Sequence, residues 1–266
     1  MIERNANRRN DELRPFLITY DVFSNADASI LFELGNTKVL CAVTMQAGVP
    51  PFLRGQGIGW LNAEYALLPT ATSIRAQRES TSATRTGRSV EISRFIGRSL
   101  RTIVNCNLLG ERTIYIDCDV LQADGGTRVA ALTASCMVLR HVQKKWLAKK
   151  IITTPILTDD LVAISVGIKG SDVLLDPDYQ EDSTIDADFN FVLTRSGRMI
   201  EVHGGAEQIP IEWSLFDKAR MYAMQASHIL FNVNTVNQTQ ASISSVSDIS
   251  IPLFSLKNRL SSKQTV

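Results

Sequence analysis

The sequence has no surplus of charge: 28 Lys and Arg stand against 27 Asp and Glu, a formal net of +1 over 266 residues. Such a balance gives no first sign of a polyanionic partner, because proteins that read polyanions carry a basic excess. Cysteine is scarce and scattered. Cys41, Cys106, Cys118 and Cys136 lie 65, 12 and 18 residues apart, which excludes the close spacing of a zinc or redox motif. Each sits in or beside an apolar run, so all four are expected to be small buried hydrophobes. The three histidines, His141, His203 and His228, form no triad or zinc pattern, and side-chain nucleophilic catalysis has little support, His203 beside Gly204-Gly205 being weak evidence alone. His141 and His228 fall on helical stretches and read as structural. No apolar run approaches the ~18 residues of a membrane span. The polar stretch 1–10, with Arg4, Arg8 and Arg9, leads into no apolar signal core. A reducing cytoplasmic setting without a membrane partner is the expectation.

What is present is a mixed pattern. With 44% hydrophobic residues the chain can build a sizeable core, and wholesale disorder is excluded. Ser29 to Met45 reads as two strands around Gly35-Asn36, a pair suited to a tight hairpin. Residues 46–60 read as a Gly- and Pro-rich loop, and 75–86 as a polar, exposed one. From Gly87 to Asn105, Ile92, Phe95, Ile96, Leu100, Ile103 and Val104 mark one helical face. Glu91, Arg94, Arg98 and Arg101 mark the opposite stripe. Thr113 to Leu121 alternates as a strand, and a second helix runs from Thr127 to Trp146. Strands are expected over Val162–Ile168, Val173–Leu175, Asp186–Leu193 and Met199–His203, with a last helix over Ser214–Leu230. The order predicts an α/β (α+β) fold, mixed sheets packed on long helices. Residues 1–232 would form one domain and 233–266 a polar, peripheral or poorly ordered tail.

Three charged groupings carry the chemistry. Between Arg75 and Arg101 lie seven arginines, no lysine and two acids, a local net of +5. Arginine presents a planar fork that holds phosphate bidentately, and Arg75, Arg78 and Arg85 in the polar loop suit phosphate contacts. The helix arginines fit either phosphate contacts or a solvated face with some ion pairs to a neighbouring subunit. Gly125-Gly126-Thr127-Arg128 follows a strand and opens a helix, the arrangement of an anion cradle. Thr127 is a candidate helix cap. Arg128 in the first turn opposes the helix dipole, which makes sense when an anion sits beside it. Asp176, Asp178, Glu181, Asp182, Asp186 and Asp188 put six carboxylates within 13 residues, hard oxygen ligands suited to Mg²⁺ or Mn²⁺.

The motifs Leu13-Arg14-Pro15, Val49-Pro50-Pro51-Phe52-Leu53-Arg54-Gly55, Ala63-Glu64-Tyr65, Ile96-Gly97-Arg98-Ser99-Leu100-Arg101 and the run from Asp117 to Arg128 resemble bacterial ribonuclease PH. So do Val166-Gly167-Ile168, Tyr179-Gln180-Glu181-Asp182-Ser183 and Ile200-Glu201-Val202. The resemblance implies a ribonuclease PH fold, akin to ribosomal protein S5 domain 2, in a homohexameric ring built as a trimer of dimers. It implies a phosphate-dependent 3′→5′ exoribonuclease that trims RNA 3′ ends, notably those of tRNA precursors, and reversibly releases nucleoside diphosphates. Carried over by motif, phosphate would be bound by Arg88, Gly126, Thr127 and Arg128. A divalent metal would sit on Asp182 and Asp188, catalysis would rest on Asp182, Asp188, Arg88 and Arg128, and Arg75 and Arg78 would guide RNA. The alternative is a catalytically silent RNA-binding subunit of such a ring. The sequence departs from the family at Arg4-Asn5-Ala6-Asn7-Arg8, where Arg-Pro-Asp-Gly-Arg is usual. It departs again at Thr70, at the neutral 80–84 stretch and at His203-Gly204-Gly205.

Overall fold

Alternation of apolar and polar residues in the first half builds a sheet with one covered face. In the computed structural model, which describes residues 4–78, 87–207 and 209–241, β1 (Phe16–Tyr20), β2 (Ala28–Leu34) and β3 (Thr37–Ala47) form an antiparallel meander. Gly35, at φ 55°, makes the β2–β3 turn, a conformation that costs glycine little. β4 (Trp60–Leu67) and β5 (Arg112–Gln122) complete the sheet in the order β1-β2-β3-β5-β4. β4 and β5 are parallel, which requires a crossover, and α1 (Gly87–Arg101) lies within it. The covered face carries Ile30, Phe32, Val39, Cys41, Leu61, Ile114, Ile116 and Val120, packed with Ile92, Phe95, Ile96 and Leu100 of α1.

α2 (Thr127–Ala148) is buried on nearly every side, from Val129 to Trp146. Its small residues, Ala130, Ala131, Ala134 and Ser135, suit a helix enclosed in the interior, and it packs on β2 and β3 as well as on β6. The second sheet has the order β7-β6-β8-β9, formed by β6 (Leu161–Lys169), β7 (Asp172–Leu175), β8 (Ala187–Thr194) and β9 (Met199–Ala206). β6 is buried on both faces, and so it reads as a continuous apolar run. Val162, Ile164, Val166, Phe189 and Phe191 form a second core with Ala219, Ala223 and Ala226 of α4 (Trp213–Ala241).

Several sequence expectations are corrected. β1 and β4 fall where no strand was expected, β4 because it starts at the residue taken as the end of a loop. α1 stops at Arg101 rather than Asn105, and α4 continues beyond Leu230 to Ala241. A helical turn, α3 (Tyr179–Asp182), lies within the acidic run. Cys41, Cys118 and Cys136 are buried, but Cys106 only partly. The chain divides into compact units Met1–Phe231 and Asn232–Val266. Of the tail expected over 233–266, residues 233–241 continue α4, and 242–266 lie outside the described residues, as do Arg85 and the neutral 80–84 stretch.

One buried ion pair ties the segment after β7 to the turn after β5. Arg14 donates from Nη2 to Asp176 Oδ1 at 2.7 Å and from Nε to Oδ2 at 2.9 Å, and its backbone N–H meets the same Oδ2 at 2.9 Å. The guanidinium also donates to the carbonyls of Asp124 and Gly125. Thr37 braces the same turn, donating to the Gly125 carbonyl and accepting from the Asp124 N–H. The two side chains are 5% and 1% exposed. Arg14→Ala would strand a buried carboxylate and should cost about 3–5 kcal/mol in denaturant unfolding. A loss under about 1 kcal/mol, the range of an exposed pair, would contradict this role.

Candidate active site

The site is assembled at the C-terminal end of β5. There Gly125 (φ 72°) and Gly126 (φ 64°) turn the chain into α2. At Gly125 the glycine is required by space as well as backbone: a Cβ would lie 2.6 Å from the Pro177 carbonyl oxygen and 2.7 Å from the Asp178 carbonyl carbon. Gly126 occupies the N-cap position, and no side chain caps α2. A first turn without such a cap has N–H groups that can receive an anion. Thr127 does not cap the helix. Its Oγ1 accepts a hydrogen bond from the buried Tyr65 hydroxyl of β4 at 2.9 Å, so the helix start is pinned to the first sheet.

Arg128 meets an anion supplied by the chain itself. Its Nη1 and Nη2 donate to the two carboxylate oxygens of Glu91 on α1, at 3.0 and 2.7 Å. Its guanidinium lies 5.6 Å from the Phe95 ring centre. Arg88, exposed in the first turn of α1, draws down the pKa of Tyr65 and of Asp182, in both cases against the larger effect of burial. Two further helix arginines make contacts within the chain. Arg98 forks Glu201 of β9, and Arg101 lies 4.5 Å over the Trp60 ring and donates to the Leu61 carbonyl.

The six carboxylates have divided duties. Asp176 is taken by Arg14. Asp178 and Glu181 form a reciprocal cap on α3, a device that satisfies two orphan N–H groups at once. Glu181 is gripped by Arg4, at 2.8 Å for each oxygen, and by Arg8 at 3.0 Å. The altered N-terminal run thus supplies two arginines that hold the acidic segment. Asp186 accepts from the Gly170 N–H at 2.7 Å. That leaves Asp182, at the end of α3, and Asp188, in β8.

Asp188 accepts from Ser165 Oγ of β6 at 3.2 Å and from Asn190 Nδ2 at 2.9 Å. Burial raises its pKa, opposed by those hydrogen bonds and by Arg128. Burial, then the charges of Asp188 and Glu207, push Asp182 up to about 6, with Arg88 and Arg14 opposing. Gly204 of β9 (φ 145°) lies beside this pair: a Cβ there would sit 2.0 Å from the Asp188 carbonyl oxygen. Partly buried carboxylates whose charge is disfavoured by burial and by neighbouring acids are relieved by a divalent cation. Among the described residues no group of three or more His, Cys, Asp or Glu forms a metal cage. A two-carboxylate site completed by water and phosphate oxygens is the arrangement Mg²⁺ uses.

The structure therefore gathers Arg88, Gly126, Thr127, Arg128, Asp182 and Asp188 within one field of charge. Arg75 and Arg78 are exposed on the segment after β4. Arg75 donates to the neighbouring Ala76 carbonyl at 3.5 Å, and the charge of Arg78 acts on Asp119, on the open face of β5. Sequence reasoning assigned no site role to Arg14, Tyr65, Ser165 or Glu207. Ser165 did leave a signal, a polar residue inside the apolar run of β6, paired in register with Asn190.

Comparison with known proteins identifies relatives along most of the chain. The 3′ exoribonuclease family, domain 1, matches residues 12–145, and its domain 2 matches residues 161–226. Ribonuclease PH of Tropheryma whipplei (strain Twist) is 48% identical over 215 residues, 81% of this chain and 87% of its own. Ribonuclease PH of Bacillus subtilis (strain 168) is 48% identical over 206 residues, 77% of this chain and 84% of its own. Among solved structures, the Archaeoglobus fulgidus exosome with RNA bound to the active site gives a TM-score of 0.73 at 22% identity, covering 86% of this chain and 92% of its own. An archaeal exosome core gives 0.71 at 21%, covering 88% and 91%. These two show the likeness of fold.

The raised pKa of Asp182 sets a sign for stability. An ordinary Asp titrates near ~3.9 when unfolded, so folding favours its protonated form. Its contribution is most favourable below about pH 4 and is lost as pH rises through about 6. Asp182→Asn should raise Tm at pH 8 and by less at pH 5, in metal-free buffer. Equal gains at both pH values would contradict the shift.

Proposed function

The chain belongs to the ribonuclease PH family and is a phosphorolytic 3′ exoribonuclease; we propose that it trims tRNA precursors in the cytoplasm, as a homohexameric ring, with Mg²⁺ or Mn²⁺ on Asp182 and Asp188. The observation that carries the reading is the meeting of a phosphate cradle and a carboxylate pair. The charge of Arg88 reaches Asp182 and that of Arg128 reaches Asp188, and Arg14 ties the glycine turn before α2 to Asp176 of the acidic run.

The reaction needs no side-chain nucleophile. An oxygen of inorganic phosphate attacks phosphorus at the terminal phosphodiester. The bond to the 3′ oxygen of the preceding nucleotide breaks, and the last nucleotide leaves as its diphosphate. Charge builds on the phosphoryl oxygens, and oriented donors stabilise it without reorganising. Arg88 and Arg128 supply guanidinium N–H groups, and the first turn of α2 supplies backbone N–H groups and the positive end of its dipole. Thr127, fixed by Tyr65, sets the position of that turn. A divalent cation would neutralise charge on the reacting phosphates and orient them. Asp188, anchored by Ser165 and Asn190, and Asp182 would hold it. The solvent-facing Arg75 and Arg78 suit the backbone of an approaching RNA strand. The exosome likeness supports a ring.

A short RNA incubated with Mg²⁺ should release nucleoside diphosphates at a rate that rises with phosphate concentration. Asp188→Ala and Arg128→Ala should each lower kcat by about 10²–10³-fold, the scale of losing one oriented charge-stabilising group. Monophosphate products, or turnover indifferent to phosphate, would overturn the reading. Light scattering at micromolar concentration should return the mass of six chains, and a monomer would contradict the ring.

A further inference from the structure

Arg128 is the cation on which the phosphate chemistry leans, yet its place in the first turn of α2 sets it against the helix dipole. Its orientation must come from elsewhere, and α1 supplies it. Glu91 takes the guanidinium end-on, Nη1 to Oε1 at 3.0 Å and Nη2 to Oε2 at 2.7 Å. Phe95, one turn further along α1, lies 5.6 Å from the guanidinium. Residues four apart share a helix face, so α1 presents a carboxylate and an aromatic ring together. A guanidinium has two bidentate edges, the terminal Nη1/Nη2 edge and the side Nε/Nη2 edge. Glu91 occupies the first. Nε makes no hydrogen bond with any described residue, so the second edge is available.

We propose that Glu91 is a positioning residue for phosphorolysis: with Phe95 it locks Arg128 by its terminal edge, so that the Nε/Nη2 edge is presented to inorganic phosphate. This rests on the phosphorolytic reading of the site and goes beyond it by assigning a role to a residue that does not touch substrate. A carboxylate this close to the phosphate site also repels the dianion, so the opposite role is physically definite: Glu91 as an internal competitor that phosphate must displace. The geometry favours the positioning role. The pair is bidentate and rests on an aromatic surface, and the acceptor holds only one of the two edges. The two roles predict opposite signs.

The test measures phosphate binding to the full chain by titration calorimetry without RNA, alongside KM for phosphate and for RNA. Glu91→Ala should weaken phosphate binding and raise its KM by about tenfold, the usual cost of removing a group that orients a ligand-binding residue. Glu91→Gln, which keeps one acceptor oxygen for the guanidinium, should fall between Ala and the native protein. KM for RNA should stay within about twofold, and kcat at saturating phosphate should fall far less than in Arg128→Ala. Tighter phosphate binding in both variants would show a competitor and overturn the proposal. So would an unchanged phosphate affinity, or a fall in Tm accompanied by equal losses toward phosphate and RNA. If the native protein itself binds no phosphate, the phosphorolytic reading fails as well. Normal native binding with indifferent variants removes the role of Glu91 alone.

Discussion

The Arg14–Asp176 ion pair is the constraint on which the site depends. The phosphate cradle grows from the end of a strand in the first sheet, and the carboxylate pair grows from the second. Neither sheet alone carries both. Arg14 precedes β1, and with one side chain it takes the Asp176 carboxylate and the carbonyls of the 124–125 turn. Burying two charges is costly unless every donor and acceptor finds a partner. Here the carboxylate accepts three N–H groups from one residue, and two further guanidinium donors go to the turn. The glycines follow from this closeness: at Gly125 the two segments pass so near that no side chain fits between them.

The distribution of charge acquires a physical meaning once those contacts are placed. Residues 75–101 carry seven arginines against two acids, and residues 159–190 hold nine acids against Lys169. Near-neutrality is a cancellation between two regions rather than a lack of charge. Much of that charge is spent on framework. Arg4 and Arg8 grip Glu181, Arg98 pairs with Glu201, and Asp186 holds the β6–β7 turn. What remains for chemistry is small and opposed in sign, Arg88 and Arg128 against Asp182 and Asp188. Burial, joined by the charge of Asp188, lifts Asp182 to about 6, while Arg88 opposes the rise.

The parts of this arrangement that the sequence discloses are those set by local rules. The β2–β3 hairpin follows from Gly35-Asn36 between alternating runs, α1 from its apolar face, and the start of α2 from the Gly-Gly pair after a strand. The five residues of β1 leave too short a pattern to read, and β4 starts at Trp60, the residue that reads as the end of the preceding loop, although Leu61, Ala63 and Tyr65 alternate with Asn62 and Glu64. Within the site, the cradle and the acidic pair are recognisable as motifs, but the partners of their members are not. Thr127 looks like a cap until Tyr65, 62 residues away, claims its hydroxyl. Arg128 looks like a cation waiting for an external anion until α1 brings Glu91 to it. The six carboxylates look like a pool of ligands until arginines from the N-terminal segment take Asp176 and Glu181. Each correction is a contact between residues distant in sequence, which periodicity and spacing do not encode.

If one buried pair couples the two halves, loosening it must disturb both at once. Amide hydrogen exchange of the Asp176→Asn protein is the direct measurement, because it reads the 124–128 turn and the 178–182 segment separately in one sample. The account predicts that both lose protection together, while amides in the middle of β3 and β5, remote from the clamp, keep theirs. Faster exchange confined to 178–182, with the glycine turn unchanged, would contradict it.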